Sequence, residues 1–175
     1  MSTEFTNDRD SNGANQPGKM PSDLIRILVE NYRRNHLSAI NSTLSMEDAH
    51  SIWFDLPKLK KFINLVESEA RAVNPDVLEE DLGIRFYYAA YPKIEDWDIM
   101  NAHPVSKDYA GKHTLVMLPT LKEQNENGEF LNNDFNSLFD GSQNEIQRKG
   151  KSPGESLAEN QGALFPPGNP FHEGF

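Results

Sequence analysis

Apolar residues at Leu56, Leu59, Phe62, Ile63, Val66, Ala70 and Val73 recur at intervals of three and four, the period of one face of an α-helix. Asp55 ahead of them suits an N-cap, Pro57 suits the first turn, and Asn74-Pro75 stops the run. The pattern predicts a helix over 56–73 with one stripe to bury. A second helix is predicted over 23–41 from Ile25, Leu28, Val29, Tyr32 and Ile40, with Ser22 as its N-cap. Ser45 and Asp48 have the spacing of a capping box and predict a short helical turn over 46–49.

Between a glycine and a proline, the run Gly83-Ile84-Arg85-Phe86-Tyr87-Tyr88-Ala89-Ala90-Tyr91 changes period to two, and its aromatic content predicts a strand. Alternation places Ile84, Phe86, Tyr88 and Ala90 on one face, expected to meet the stripe of the 56–73 helix. Arg85, Tyr87 and Tyr91 share the other face. Residues 51–54 predict a short strand in which Trp53 points opposite to Ile52 and Phe54, and residues 113–119 predict a third strand. Asn127-Gly128 is read as a type I′ turn pairing 120–123 with 130–132. Residues 92–112 form a long irregular connection, a length usually associated with function or disorder.

Together these elements predict an α+β (or α/β) fold. A small mixed sheet of three to five strands carries two main helices on one face. Strand 51–54, helix 56–73 and strand 83–91 form a β-α-β unit, whose crossover is right-handed. Residues 1–21 read as a disordered arm, 22–133 as the core domain, and 134–175 as an irregular Pro/Gly/Asn-rich tail that docks on it. Phe135, Leu138 and Phe139 suggest one amphipathic turn, 143–156 a polar stretch, and 164–167 and 171–175 apolar islands.

Composition narrows the function classes. The chain has 175 residues, a net charge of −10 and a hydrophobic fraction of 37%, within the size of one domain with polar ends. Half of the net charge lies beyond residue 120. An acidic chain is repelled by phosphate backbones and anionic lipids, so neither nucleic acid nor membrane is an expected partner. The absence of cysteine excludes disulfides, thiolate nucleophiles and cysteine metal sites. With no leader pattern in residues 1–21 and no apolar run long enough to span a bilayer, a cytoplasmic location is expected.

Catalytic patterns fail on mechanism. Gly150-Lys151-Ser152-Pro153-Gly154 matches a nucleophile elbow, but Pro153 lacks the N–H of an oxyanion hole. Read as the end of a P-loop, the same segment has Glu145 where a glycine is required. Glu123, Asn125, Asn127, Gly128 and Asp134 follow calcium-loop spacing but lack its first Asp and last Glu. His103, Asp108 and His113, with Asp96 and Asp98, are the candidate metal ligands of the long loop, though at no helical-pair spacing. No other cofactor is implied.

The best binding candidate is the Arg85, Tyr87 and Tyr91 face, joined by Trp53. Arg85 there reaches a carboxylate such as Asp55 or Glu80, stacks on Tyr87, or binds an anionic ligand. The leading expectation is therefore a non-enzymatic binding or accessory protein using this face and the tail, with a protein partner or a small anionic ligand. One alternative is a small metal-assisted enzyme with its site in the 92–113 loop. Another is an acidic immunity-type or decoy protein that binds a basic partner.

Trp53-Phe54 before the helix, then Gly83 to Tyr88, Thr114-Leu115-Val116 with Pro119-Thr120, and Asn160-Gln161-Gly162-Ala163-Leu164 with Pro166-Pro167 resemble a loose group of small uncharacterised bacterial proteins. The resemblance covers residues 50–165. It implies a single domain that includes the proline-rich end, and it carries no activity and no site residue.

Overall fold

A computed structural model describes residues 18–135 and 156–167. Within them the chain is α+β, with two separate antiparallel sheets. Helix α1 (Ser22–Asn31) continues through a π-helical segment (Tyr32–Leu37) into α2 (Ser38–Leu44). Strand β1 (Ser51–Trp53), helix α3 (Leu56–Val73), strand β2 (Leu82–Ala90), strand β3 (His113–Gln124), strand β4 (Phe130–Asp134) and strand β5 (Ala163–Phe165) follow. The expected amphipathic turn at Leu138–Phe139, the polar stretch up to residue 155, the 171–175 island and the Gly150–Gly154 motif lie outside the described residues, as does the expected arm up to residue 17.

Local chemistry accounts for α3. Asp55 accepts a hydrogen bond from the Lys58 N–H at 2.8 Å, and Pro57 sits in the first turn. Only Phe62, Val66 and Ala70 of its stripe are buried. Phe62 and Val66 close on Met117 of β3, with Ile84, Leu59, Phe54 and Leu157 around them.

The β-α-β unit does not form. β1 pairs with β5, whereas β2 lies in the other sheet, in the order β2-β3-β4. Among the described residues there is no single mixed sheet, because the tail supplies the partner of β1: Ser51, Ile52 and Trp53 face Phe165, Leu164 and Ala163. Gly162 makes this docking possible. A Cβ there would stand 2.4 Å from Ile52 Cγ2 and 2.8 Å from the Phe54 ring. Leu164 is fully buried with Ala49, Tyr91 and Trp97.

Other local expectations shift. Ser22 is the first helical residue rather than its cap, and Pro21 precedes it. Ser45 ends α2 in a left-handed conformation, so Ser45 and Asp48 cap no helix over 46–49. The β3-β4 hairpin forms, but only Gly128 has positive φ, not Asn127, so the turn is not type I′. Asn125 closes it instead, its Oδ1 accepting from the Asn127 and Glu129 N–H groups. The 92–112 connection winds into 3-10 turns at Ile94–Ala102 and Lys107–Tyr109, and Trp97 anchors it in the core. No helix among the described residues is long and apolar enough to cross a membrane.

Candidate functional site

The four expected binding residues separate into three environments. On β2, the Arg85 guanidinium donates to Asp134 Oδ1 at 2.5 Å and to the Asn132 carbonyl at 2.6 Å. The Tyr87 hydroxyl donates to the other Asp134 oxygen. The register explains this: Asp134 faces Thr120, whose neighbour across the ladder is Gly83, so Arg85 and Tyr87 share a face with it. Tyr87 and then Asp134 hold the exposed Arg85 guanidinium above its ordinary pKa. The cation thus already has a carboxylate and a carbonyl.

Tyr91 is buried beneath the tail. Its hydroxyl donates to the Asn160 carbonyl at 3.2 Å, and its ring packs beside Trp97 and Tyr109. Burial is the main reason its phenol lies above the usual pKa. Trp53 is exposed at an open cleft of about 280 Å³, lined also by Lys58, Pro104, Val105, Tyr109 and Gln161. The Lys58 ammonium donates to the Gln161 carbonyl there at 2.8 Å, tying α3 to the tail.

The other face of β2 departs most from expectation. Ile84 packs against the α3 cluster, but Phe86 is 52% exposed and Tyr88 90% exposed. Among the described residues β2 is an edge strand and α3 sits over its neighbour β3, so no described element covers the far end of this face. The backbone edge is open too. Met117, opposite Phe86, turns its N–H and C=O away to Glu159, at 2.9 and 3.1 Å. In an antiparallel ladder that makes Phe86 and Met117 a non-hydrogen-bonded pair, so the N–H and C=O of Phe86 point off the sheet. The same alternation turns Ile84, Tyr88 and Ala90 outward. None of them has a backbone partner on that side among the described residues.

A further cluster has no counterpart among the expected sites. Asp48, 3% exposed, accepts from the His113 N–H at 2.8 Å and from His113 Nδ1 at 2.6 Å, and also from the Ala49 N–H. His113 Nε2 meets the Tyr32 hydroxyl at 2.9 Å, and Tyr32 stacks on His36 within the π-helical segment. With Nδ1–H given to Asp48, His113 Nε2 is the acceptor of a hydrogen bond from the Tyr32 hydroxyl. Burial, then the Asp48 charge and Tyr88, push the Tyr32 phenol above its ordinary pKa. That direction opposes a phenolate nucleophile, so the relay acts as a polar clamp between helix and sheet. No local signal could reveal it, because its members lie 65 and 81 positions apart.

The clamp also redefines the metal candidates. His113 opens β3 with both ring nitrogens engaged, and Asp108 accepts from the Ser106 hydroxyl at 3.0 Å. His103 is exposed. His103, Asp108 and His113 form no common site: among the described residues no three His, Asp or Glu side chains are grouped to hold a metal. Comparison with known proteins found no matching family model, no matching curated protein and no matching solved structure.

Proposed function

We propose that this is a non-enzymatic binding protein that captures an extended partner segment by strand addition at the outer edge of β2. The observation that carries the reading is the outward N–H and C=O of Phe86, with the exposed Phe86 and Tyr88 rings alongside. Long edge strands of this kind are templates for another chain, and natural proteins usually blunt them with lysine, proline or a covering element. Residues 84–90 contain neither lysine nor proline, and their one charge, Arg85, is neutralised by Asp134. The Arg85 and Tyr87 face contributes by stiffening the strand rather than by binding an anion. The acidic balance of the chain directs the reading to a protein partner and away from nucleic acid. A chain without cysteine is suited to the cytoplasm.

A displayed library of extended peptides tests this. The native chain should enrich β-forming peptides whose binding slows amide exchange at Phe86 and Tyr88. A double Phe86→Lys, Tyr88→Lys variant should lose at least tenfold in capture, since an edge lysine blocks pairing. Equal capture by the variant, or enriched peptides that leave those amides unchanged, would remove the reading.

A further inference from the structure

We infer that one occupant of the β2 edge is the β2 edge of a second copy of this chain, joined antiparallel across a two-fold axis into a six-stranded sheet. This rests on the open-edge reading and names its partner. An isologous contact requires a self-complementary patch, and this strand supplies one. Its outward-facing residues are all even-numbered, so a two-fold centred at Tyr87 brings outward groups onto outward groups: Ile84 opposite Ala90 of the second copy, and Phe86 opposite Tyr88 of the second copy.

Side chains favour the same register. It stacks the most exposed aromatic, Tyr88, on Phe86 twice, once on each side of the axis. It places Tyr87 against Tyr87 and Arg85 against Ala89, so no like charges meet. The half-covered end at Leu82 and Gly83 stays outside the contact. The one charge of residues 84–90, Arg85, is already held by Asp134, which favours an uncharged partner strand over a charged peptide. The exposed parts of Phe86, Tyr87 and Tyr88 offer an apolar area on the order of 350 Å² per copy, below the roughly 800 Å² of a standard interface. The dimer is therefore weak. Because each copy carries −10, added salt strengthens it.

The chain's lack of cysteine gives a clean test. In this register the Tyr87 Cα atoms stand about 4.5 Å apart across the axis, within reach of a disulfide, whereas the Arg85 positions are more than about 10 Å apart. Tyr87→Cys should cross-link under mild oxidation at least tenfold faster than Arg85→Cys, and sedimentation equilibrium of the native full chain should show a monomer–dimer equilibrium that salt shifts toward dimer. A native chain that stays monomeric at several hundred micromolar, or equal cross-linking of the two variants, overturns the inference. Amide exchange then separates the two readings. Fast exchange at Phe86 and Tyr88 in a monomeric chain removes the second copy and leaves the edge open to other strands; slow exchange in a monomer removes both.

Discussion

Tyr32 and His113 lie 81 positions apart and meet at 2.9 Å through the phenol oxygen and Nε2, with Asp48 behind the imidazole at 2.6 Å. The three residues hold the π-helical segment, the turn after α2 and the start of β3 to one another. Asp48 does the greater share, because three N–H groups depend on its carboxylate. Asp48→Ala should lower unfolding free energy by about 3 kcal/mol, the scale of stripping a buried charged acceptor from its donors. Tyr32→Phe removes one hydrogen bond and should cost about 1 kcal/mol. Urea unfolding of the two variants checks the ranking.

Alkaline pH should loosen this clamp and, separately, the contact of Tyr91 with the tail. The phenols of Tyr32 and Tyr91 are raised above their ordinary value of about 10, in each case first by burial. The folded chain then holds these protons more tightly than the unfolded chain. Their contribution is complete below pH 10 and is lost as pH rises through the folded values. The thermal midpoint should fall above about pH 10, and the fall should be shallower in Tyr32→Phe and in Tyr91→Phe than in the native chain.

What the sequence revealed depended on the range of the forces involved. Helix α3 was legible because its cap, its proline and its three-and-four spacing all lie within one segment. Strand β2 was legible from alternation and punctuation, but β3 only as far as Pro119, because it runs through that proline to Gln124 as one strand with the expected 120–123 segment. The pairing of β1 with β5 was not, because three residues cannot specify a partner more than a hundred positions away; the fit of Gly162 between Ile52 and Phe54 decides it. Alternation correctly divided β2 into two faces, but it could not say which would be covered. That depended on α3 settling over β3, which left Phe86 and Tyr88 in solvent and put Tyr91 under the tail. Of the candidate residues, Arg85 and Tyr87 were correctly seen as sharing one face, while the carboxylate that binds them, Asp134, lies 49 and 47 positions on.

Gly162 should tolerate no side chain. Its added Cβ would overlap Ile52 and the Phe54 ring, which sit on β1 and in the link between β1 and α3. Gly162→Ala should cost about 1–3 kcal/mol, the range for overpacking a closed site. It should also release the tail, so that Leu164 leaves the core. Limited proteolysis should then cut near residue 160 faster than in the native chain, with α3 still helical by circular dichroism.

Asp55 offers the cleanest separation of a cap from a binding role, since it both lines the Trp53 cleft and accepts from the Lys58 N–H. Asp55→Ala should lower stability by about 1 kcal/mol, whereas Asp55→Ser, which keeps an acceptor at the cap, should stay within a few tenths of the native value.

Removing the Arg85 side chain should leave the thermal midpoint within experimental scatter, because the Arg85–Asp134 pair is solvent-accessible and such pairs contribute little to stability. The effect should instead be local. Arg85 and Tyr87 are the side chains of β2 that reach across β3 to β4, and all five residues of β4 are exposed. Arg85→Ala with Tyr87→Phe should therefore speed amide exchange in β4 by several-fold while β3 exchange stays unchanged. If the double variant unfolds as a whole at lower temperature, the pair is part of the core rather than a brace on the sheet. If β4 exchange is unaffected, the hairpin loop closed by Asn125 is sufficient to hold the strand.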